Sequence, residues 1–370
     1  MPEILRCRFL FLTAVLIISA LQSSYPAEEK EQRLVSPTLL EHAGLEIVWE
    51  NVLPTKRDES LEKLLVLGDH VYAISNKNYM LCLERENGNR IFGEIVAPGG
   101  VKIEDLSLYN DNLLCVVGSK LFEIDPNTGI ERNSVDAGVA IVCPAARNSS
   151  YYYFSGVDER LHVLRADNMV KMFDVAAMNN SMITTIVADE AFVVFGTDKG
   201  NIISITPDLP KRLWQFDASA AIAGQIVQDG LSLFFASEDM NVYRIDIVGL
   251  PERRRLIWKY LTDGVLKTAP RVTSGVVYQC VYLKDLIAIE KNSGSFMWSV
   301  PGGVGLLTEA KDKAYVITRD STLVVMSNIE RKKLYTVNFA GVSKYATNLA
   351  DSKIYIADKS GRIACLQPLN

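Results

Sequence analysis

An aromatic residue recurs through the chain at an interval of about 40 residues, and this period limits the fold more than any other feature of the sequence. Each of the four tryptophans follows an aliphatic residue or a methionine, and three further aromatic residues fall in the same register between them. With Arg132 in the remaining slot, the markers are Trp49, Phe92, Arg132, Phe173, Trp214, Trp258, Trp298 and Tyr335. Their successive spacings are 43, 40, 41, 41, 44, 40 and 37 residues. Such a period is typical of solenoids, propellers and repeat arrays.

Each repeat contains four short strand-like segments. In the fourth repeat these are residues 184–187, 191–195, 201–205 and 213–216, and a glycine-containing turn separates the second from the third. Runs of β-branched and aromatic residues bounded by Gly, Asp and Asn indicate hairpins. Four strands in a unit of about 40 residues predict one blade of a β-propeller, and therefore an all-β fold.

The number of repeats predicts eight blades. First strands are expected near positions 61, 102, 139, 181, 221, 265, 304 and 342, and the last repeat stops after its third strand at residues 362–366. The segment 46–52, which carries Trp49, stands alone before the first repeat. We therefore expect this N-terminal strand to complete the last blade, because such closure leaves no open sheet edge. The prediction is an eight-bladed propeller of four-stranded blades over residues 45–370.

The first residues resemble an export signal. Arg6 and Arg8 precede an apolar stretch, residues 9–20, which suits a secretory signal but is shorter than the ~20 residues that span a bilayer. We predict a signal peptide over residues 1–27, a linker over 28–44 and no transmembrane segment after cleavage. No cysteine follows the apolar stretch to accept a lipid, so the expected location is the periplasm or another extracytoplasmic compartment.

Cysteine spacing and net charge exclude several function classes. Five cysteines follow the predicted signal peptide, at positions 82, 115, 143, 280 and 365, and none forms the C-x-x-C pattern of zinc, redox or haem sites. Each lies in an apolar run, which predicts a buried residue, and an odd number leaves at least one thiol free in an oxidising compartment. The formal net charge of −5 argues against nucleic acid as a partner.

The order of turn and aromatic residue resembles one propeller family. In residues 122–129 and 287–298 the third strand leads into a Gly-containing turn, which in the second stretch is followed by the aromatic strand. This is similar to the A-x-D-x-x-T-G-x-x-x-W repeat of the pyrroloquinoline-quinone (PQQ) propellers, whereas no tryptophan here is followed by the Asp of a WD40 repeat. The resemblance covers essentially all of the chain after the signal. It implies structural roles for the repeat residues, with the glycine at positive φ and the aromatic ring packed between blades.

Within that family the chain resembles BamB-type outer-membrane protein assembly factors, which are cofactor-free eight-bladed propellers of similar length. The other branch, the quinoprotein dehydrogenases, implies adjacent cysteines over the quinone, a calcium site and an Asp base. The chain has no Cys-Cys pair and lacks the long insertions of those enzymes. His42, His70 and His162 also have no metal-ligand spacing. We therefore predict no catalytic residue, cofactor or metal.

The connections between blades predict where partners bind. They are rich in Gly and Ala, which suits docking of a partner's backbone, and only Asp136 and Asp263 bring a titratable group. Isolated aspartates beside glycine more often form turns than act as paired acid and base. Polar hairpins such as residues 156–160 are expected on the opposite face, as solvated turns. The basic insertion 251–255 is expected to be a solvated hairpin, with binding of an acidic partner as the alternative.

The assembly-factor resemblance implies two partner loops. One matches residues 265–270, where Pro270 is kept but two family acids are absent, and the other matches residues 179–182, in place of an exposed Leu-Arg pair. The candidate partner-binding residues are Asn179, Asn180, Met182, Asp263 and Lys267. The predicted function is that of an exported, monomeric, non-catalytic scaffold for protein partners, assisting outer-membrane protein assembly. The alternatives are a PQQ-dependent oxidoreductase and a general envelope or surface interaction module.

Overall fold

The structure, a computed structural model, describes residues 33–104 and 106–369. The predicted signal peptide and linker residues 28–32 lie outside the described residues. One short helix, α1 (Pro37–His42), precedes 32 strands, which form eight four-stranded antiparallel sheets. Among the described residues, no helix is long and apolar enough to cross a membrane.

The first four blades follow the order of the chain. Blade 1 is β2 (Leu61–Leu67), β3 (His70–Ser75), β4 (Tyr79–Glu84) and β5 (Arg90–Ile95). Blade 2 is β6 (Ser107–Tyr109), β7 (Asn112–Val117), β8 (Lys120–Ile124) and β9 (Glu131–Asp136). Blade 3 is β10 (Ala146–Arg147), β11 (Tyr151–Ser155), β12 (Arg160–Arg165) and β13 (Lys171–Ala176). Blade 4 is β14 (Ile183–Ala188), β15 (Val193–Thr197), β16 (Asn201–Ile205) and β17 (Arg212–Asp217), close to its predicted strands.

The remaining blades continue in the same order. Blade 5 is β18 (Ile222–Asp229), β19 (Ser232–Ser237), β20 (Asn241–Ile247) and β21 (Arg254–Leu261). Blade 6 is β22 (Arg271–Val272), β23 (Val276–Cys280), β24 (Asp285–Glu290) and β25 (Phe296–Pro301). Blade 7 is β26 (Gly303–Ala310), β27 (Lys313–Thr318), β28 (Thr322–Ser327) and β29 (Lys332–Asn338). Blade 8 is β30 (Lys344–Ala346), β31 (Ile354–Ala357), β32 (Arg362–Pro368) and β1 (Leu45–Val52).

Blade 8 closes the ring as the sequence predicts. β1 pairs antiparallel with β32, and Trp49 lies opposite Cys365. The eight blades and the N-terminal closing strand are therefore confirmed. β32 and β1 come from opposite ends of the chain, and the end of α1 leads into β1 through Gly44, which has φ +60. The Ala43 carbonyl next to it accepts a hydrogen bond of 2.7 Å from the Tyr335 hydroxyl.

Three inner strands begin later than the sequence predicts. Near the predicted positions 102, 139 and 265, Ile103, Ile141 and Leu266 form only isolated bridges. Regular pairing starts at β6, β10 and β22, several residues further on. In blades 3 and 6, Pro144 and Pro270 stand between the bridge and the strand, and a proline has no N–H to donate to the ladder.

Several aromatic markers pack against the next blade. The Trp258 ring of blade 5 covers Gly294, in the turn between the third and fourth strands of blade 6. Gly294 has φ +72, and a Cβ added there would lie 2.7 Å from the ring. The Trp258 Nε1–H donates to the Lys291 carbonyl at 2.9 Å, and Trp49 donates likewise to the Arg85 carbonyl at 3.1 Å. The repeat pattern therefore describes a contact between neighbouring blades.

The marker position of blade 2 is one residue away from the predicted one. In blade 5, Trp258 pairs directly after a bulge in the outer strand. In blade 2 the residue that pairs after the bulge is Asn133, opposite Glu123, and Arg132 occupies the bulge itself. The extra residue of a bulge shifts the register by one, which the spacing alone does not reveal.

The cysteines follow the prediction of buried residues closely. All five described cysteines are unpaired, and four of them are buried while Cys280 is half-buried. Burial raises the pKa of the Cys143 thiol to about 12 and that of Cys280 to about 11. These thiols therefore pack as small apolar groups and are protonated at neutral pH.

Candidate functional site

The loops of the propeller lie on two faces. The segment leaving each outer strand is hydrogen-bonded to the hairpin between the second and third strands of the same blade, as in Ala177 N–H to Glu159 O at 2.9 Å. Hairpin 156–160 and the interblade connections therefore share one face, which we call the connection face. The prediction that they lie on opposite faces is wrong, because successive antiparallel strands reverse direction and every second connection emerges at the same end.

Polar residues of the connection-face hairpins mostly form hydrogen bonds within their own turns. The Thr197 hydroxyl accepts a hydrogen bond of 3.1 Å from the Asn201 N–H, and Asp358 Oδ1 accepts one of 3.0 Å from the Arg362 N–H. His162 Nε2 lies 3.1 Å from Asp158, and its ring stacks on Phe154. Such side-chain to backbone bonds stabilise turns, so these residues have a structural role.

Asp136 and Asp263, which lie in two different interblade connections, do not form an acid–base pair. The Gly138 N–H holds the pKa of Asp136 below its ordinary value, and the hydrogen bond from Lys284 does the same for Asp263. Both are therefore ionised at neutral pH, whereas a general acid needs a raised pKa. Within residues 33–104 and 106–369, no three His, Cys, Asp or Glu side chains lie close enough together to hold a metal ion.

Exposed apolar residues gather on the connection face of blades 5 and 6. They come from two hairpins and the connection between them, and they are Met240, Leu261, Val265, Tyr282 and Leu283, with exposed fractions of 38–64%. We call this set the blade 5–6 patch. The Thr262 N–H donates to the Met240 carbonyl at 2.8 Å, and the Tyr282 N–H donates to the Val265 carbonyl at 2.9 Å. The three loops that carry the patch are thus joined by backbone hydrogen bonds.

Two tips of this patch carry a backbone conformation that their side chains do not favour. Each hairpin between second and third strands turns through one residue of positive φ, namely Asn78, Gly118, Glu159, Gly200, Met240, Leu283, Ser321 and Gly361. Only in blades 5 and 6 is that residue apolar and bulky. A non-glycine residue in this region costs about 1–2 kcal/mol. Large apolar side chains that point into solvent from a strained turn are not explained by folding, which favours a role in binding.

Two of the sequence-predicted residues border the patch. The Asp263 carboxylate lies 2.9 Å from Lys284 Nζ, and Lys267 Nζ lies 4.4 Å from the centre of the Tyr282 ring. Met240, Tyr282 and Leu283 were not among the residues predicted from the sequence. Comparing the hairpin tips of all repeats would have found them, because apolar residues interrupt an otherwise polar or glycine position.

The other predicted residues lie in the connection between blades 3 and 4. Asn179 and Asn180 are exposed and have φ values of +59 and +47, which asparagine tolerates better than most residues. Met182 is half-buried, and its N–H donates to Asp198 Oδ1 at 3.0 Å. The blade 4–5 connection, residues 218–221, separates this loop from the blade 5–6 patch along the ring. The structure therefore does not bring the two predicted loops together.

The basic insertion lies on the other face, in the turn between β20 and β21. Arg254 donates to the Gln215 carbonyl at 2.7 Å and lies 5.3 Å from the centre of the Phe216 ring, which attaches it to blade 4. Arg253 and Arg255 are exposed. Part of this charge therefore has a structural role at the blade 4–5 junction.

Comparisons with known proteins establish the architecture. No family model and no curated protein matches the chain. Among solved structures it is similar to BamB from Moraxella catarrhalis, with 14% identity, a TM-score of 0.67, and coverage of 87% of this chain and 97% of that one. It is also similar to the computationally designed Ika8 protein, with 13% identity, a TM-score of 0.67, and coverage of 86% and 99%.

A third similar structure is the Cps50 (Swd1) β-propeller domain of Myceliophteria thermophila, with 14% identity, a TM-score of 0.58, and coverage of 86% and 99%. The natural BamB protein and the designed Ika8 protein match equally well, so the similarity is one of fold. The resemblance to a BamB-like propeller, inferred from the repeats, is confirmed at that level. Fold alone does not assign function, which has to be argued from the site.

Proposed function

We propose that the chain is a non-catalytic scaffold that binds protein partners through its connection face, with the blade 5–6 patch as the principal contact. The observation that carries this proposal is the pair of apolar hairpin tips, Met240 and Leu283, held outward by turns of positive φ. Six other hairpins of the same architecture have polar or glycine residues there, so the propeller itself does not require them.

The chemistry of the patch suits a protein partner. Its centre offers an aromatic ring and flexible aliphatic groups, while Asp263, Lys267 and Lys284 supply charges around it. Protein interfaces combine an apolar centre, often with Tyr and Met, and a polar rim. A partner that packs two or three aliphatic or aromatic side chains against Met240, Tyr282 and Leu283 would cover the patch.

We propose that the protein is exported and that its partner belongs to an outer-membrane protein assembly complex. Support comes from the repeat pattern and from the fold shared with BamB, together with the export-like N-terminus. Asn179 and Asn180 would then form a second, weaker contact on the same face.

Site-specific photo-crosslinking in intact cells tests the proposal. A photoreactive residue at Tyr282 should capture a partner, and Leu283→Ser on the same molecule should reduce the yield at least about fivefold, because truncating an interface hot spot costs more than 1 kcal/mol. The matched control is Ile329→Ser, since Ile329 is a more exposed apolar tip, at 79%, in a turn on the opposite face. Equal capture by both variants would contradict the assignment of the face.

The identity of the captured protein tests the proposed role in outer-membrane protein assembly. Recovery of an outer-membrane barrel or its periplasmic domains would support the assembly role. Recovery of other envelope proteins would replace that role with a general interaction module. Turnover of an alcohol or aldehyde by protein loaded with quinone and calcium would contradict the non-catalytic proposal and favour the oxidoreductase.

A further inference from the structure

The groove between the outer parts of blades 7 and 8 is filled by the chain's own residues 34–44, which we call the N-terminal arm. Leu34, Val35 and Leu40 of the arm are buried, with exposed fractions of 2–6%. They pack in one cluster with Val337 of blade 7 and Leu366 of blade 8. A short apolar segment can therefore bind between two blades of this propeller, at its side.

The equivalent groove between blades 6 and 7 contains no such segment among the described residues. Equivalence follows from the markers, since Trp298 and Tyr335 pair alike after a bulge in their outer strands. A cavity of about 620 Å³ lies here, lined by apolar residues that include Met297, Val324 and Met326. Phe296 at its edge is 46% exposed.

The two grooves differ in charge on one wall. In blade 8 the arm packs on Leu45 and Ile47, which lie four and two residues before the marker Trp49. Counting back in the same way from Tyr335 of blade 7 gives Arg331 and Lys333, both exposed and both lining the cavity. Neither has a carboxylate within ion-pair distance among the described residues, whereas Lys332 between them pairs with Glu330 at 3.0 Å.

We propose that the groove between blades 6 and 7 binds a short segment of a partner protein that combines aliphatic or aromatic residues with acidic ones. The apolar residues would occupy the space that Leu34, Val35 and Leu40 fill in the next groove. The acidic residues would lie against Arg331 and Lys333, where the arm meets apolar side chains instead. This site is on the side of the propeller, so it is separate from the connection face and adds a second point of attachment.

A peptide-binding measurement tests the site. The probe is a fluorescein-labelled peptide with the sequence of residues 34–43 and two added glutamates at each end, titrated against the full chain by fluorescence anisotropy. We expect saturable binding that weakens as salt is added, because exposed charges are screened. Phe296→Ser should abolish binding, and Lys333→Glu should weaken it about fivefold or more, as expected for one exposed charge contact reversed.

Three controls decide the outcome. Lys259→Glu alters an exposed lysine on the outer strand of blade 5 and should leave the affinity unchanged. A peptide with lysines in place of the added glutamates should bind more weakly, and Leu283→Ser should have no effect, which separates this test from that of the connection face. Absence of binding, or equal losses with Lys259→Glu and Lys333→Glu, would overturn the proposal. The proposal would also be overturned if the wild-type chain self-associated in sedimentation and Phe296→Ser did not. The groove would then bind a second copy of the chain.

Discussion

The junction between blades 5 and 6 and the junction between blades 2 and 3 occupy equivalent places in the ring and are built from opposite chemistry. At the first, Trp258 is buried against Gly294 and donates to the Lys291 carbonyl. At the second, the marker position holds the exposed Asn133, so this position supplies no aromatic ring to the next blade.

Charge replaces the aromatic ring at the blade 2–3 junction. Glu123, only 1% exposed, forms an ion pair with Arg147 of the next blade and accepts a hydrogen bond of 3.1 Å from Asn133. The Arg147 guanidinium lies between two rings, 4.8 Å from the centre of Tyr109 and 4.6 Å from that of Tyr152. One fold thus accepts either an apolar or an ionic fastening between blades.

Mutations at the two junctions should change the stability of the protein in different ways. A buried ring stabilises the fold through the apolar area that it removes from water. Truncating it therefore lowers the free energy of unfolding in proportion to the atoms removed. A buried ion pair offsets desolvation only while both partners are present, so removing one partner is worse than removing both. Four predictions test this difference, in order of decreasing effect.

Trp258→Ala should cause the largest loss. Removing the ring leaves a cavity over Gly294 and takes away one of the two hydrogen bonds to the Lys291 carbonyl, the other coming from Arg244 at 3.0 Å. Truncation of a buried tryptophan costs about 3–5 kcal/mol. Chemical denaturation measures the free energy of unfolding. The control Phe296→Ala, at an exposed position on an outer strand, should change it by less than about 0.5 kcal/mol. Equal effects of the two changes would show that the marker is not a fastening.

Glu123→Leu should cost about 3 kcal/mol, because it leaves the Arg147 charge largely buried without its partner. The double change Glu123→Leu/Arg147→Met should cost less than the single one, since an apolar pair requires no desolvation of charge. The free energy of unfolding of both single variants and the double variant completes the cycle. Additive losses would contradict the ionic fastening.

Gly294→Ala separates ring contact from backbone strain. The added methyl would meet the Trp258 ring at 2.7 Å in a backbone with φ +72, and we expect a loss of about 2–3 kcal/mol. Gly230 is the matched control, because it has φ +58 with no atom within 4 Å of an added Cβ. Gly230→Ala should cost only about 1 kcal/mol from strain. Similar losses of unfolding free energy at the two sites would show that backbone strain alone accounts for the effect of Gly294→Ala.

Thiol reactivity should show whether the loss of the ion pair loosens blade 2 alone, because Cys115 lies on the blade 1 side of blade 2 and Cys280 on the blade 7 side of blade 6. Burial raises the pKa of Cys115 in blade 2 to about 12 and that of Cys280 in blade 6 to about 11, so both thiols should react slowly with an aromatic disulfide at pH 8. Half-buried Cys280 should react first. Glu123→Leu should increase the reaction rate of Cys115, which pairs with Phe122 next to the substituted residue, and should leave the rate of Cys280 unchanged. Acceleration of both would indicate global rather than local opening.

Most of the architecture could be read from the sequence, because propeller repeats interact with their nearest neighbours. The marker spacing predicts the blades, and the isolated Trp49 strand predicts the closure that β1 and β32 make. The site was less predictable. Asp263 and Lys267 do border an apolar patch, but Tyr282 and Leu283 can be recognised as site residues only when hairpins from different repeats are compared. The faces of the hairpins were assigned wrongly although strand alternation determines them.

By itself, the sequence determined the blade count, the strand pattern and the turns, since alternation, glycine and β-branched residues act over a few neighbouring positions. The tertiary structure decided which distant side chains meet. It decided that Glu123 meets Arg147. It also decided that the N-terminal arm fills one interblade groove, while no such segment of the described chain lies in the neighbouring groove. The physical reason is that the packing of neighbouring blades and the closure of the ring bring together residues far apart in sequence, from 24 positions for Glu123 and Arg147 upward. Local preferences act over only a few positions and cannot specify such contacts.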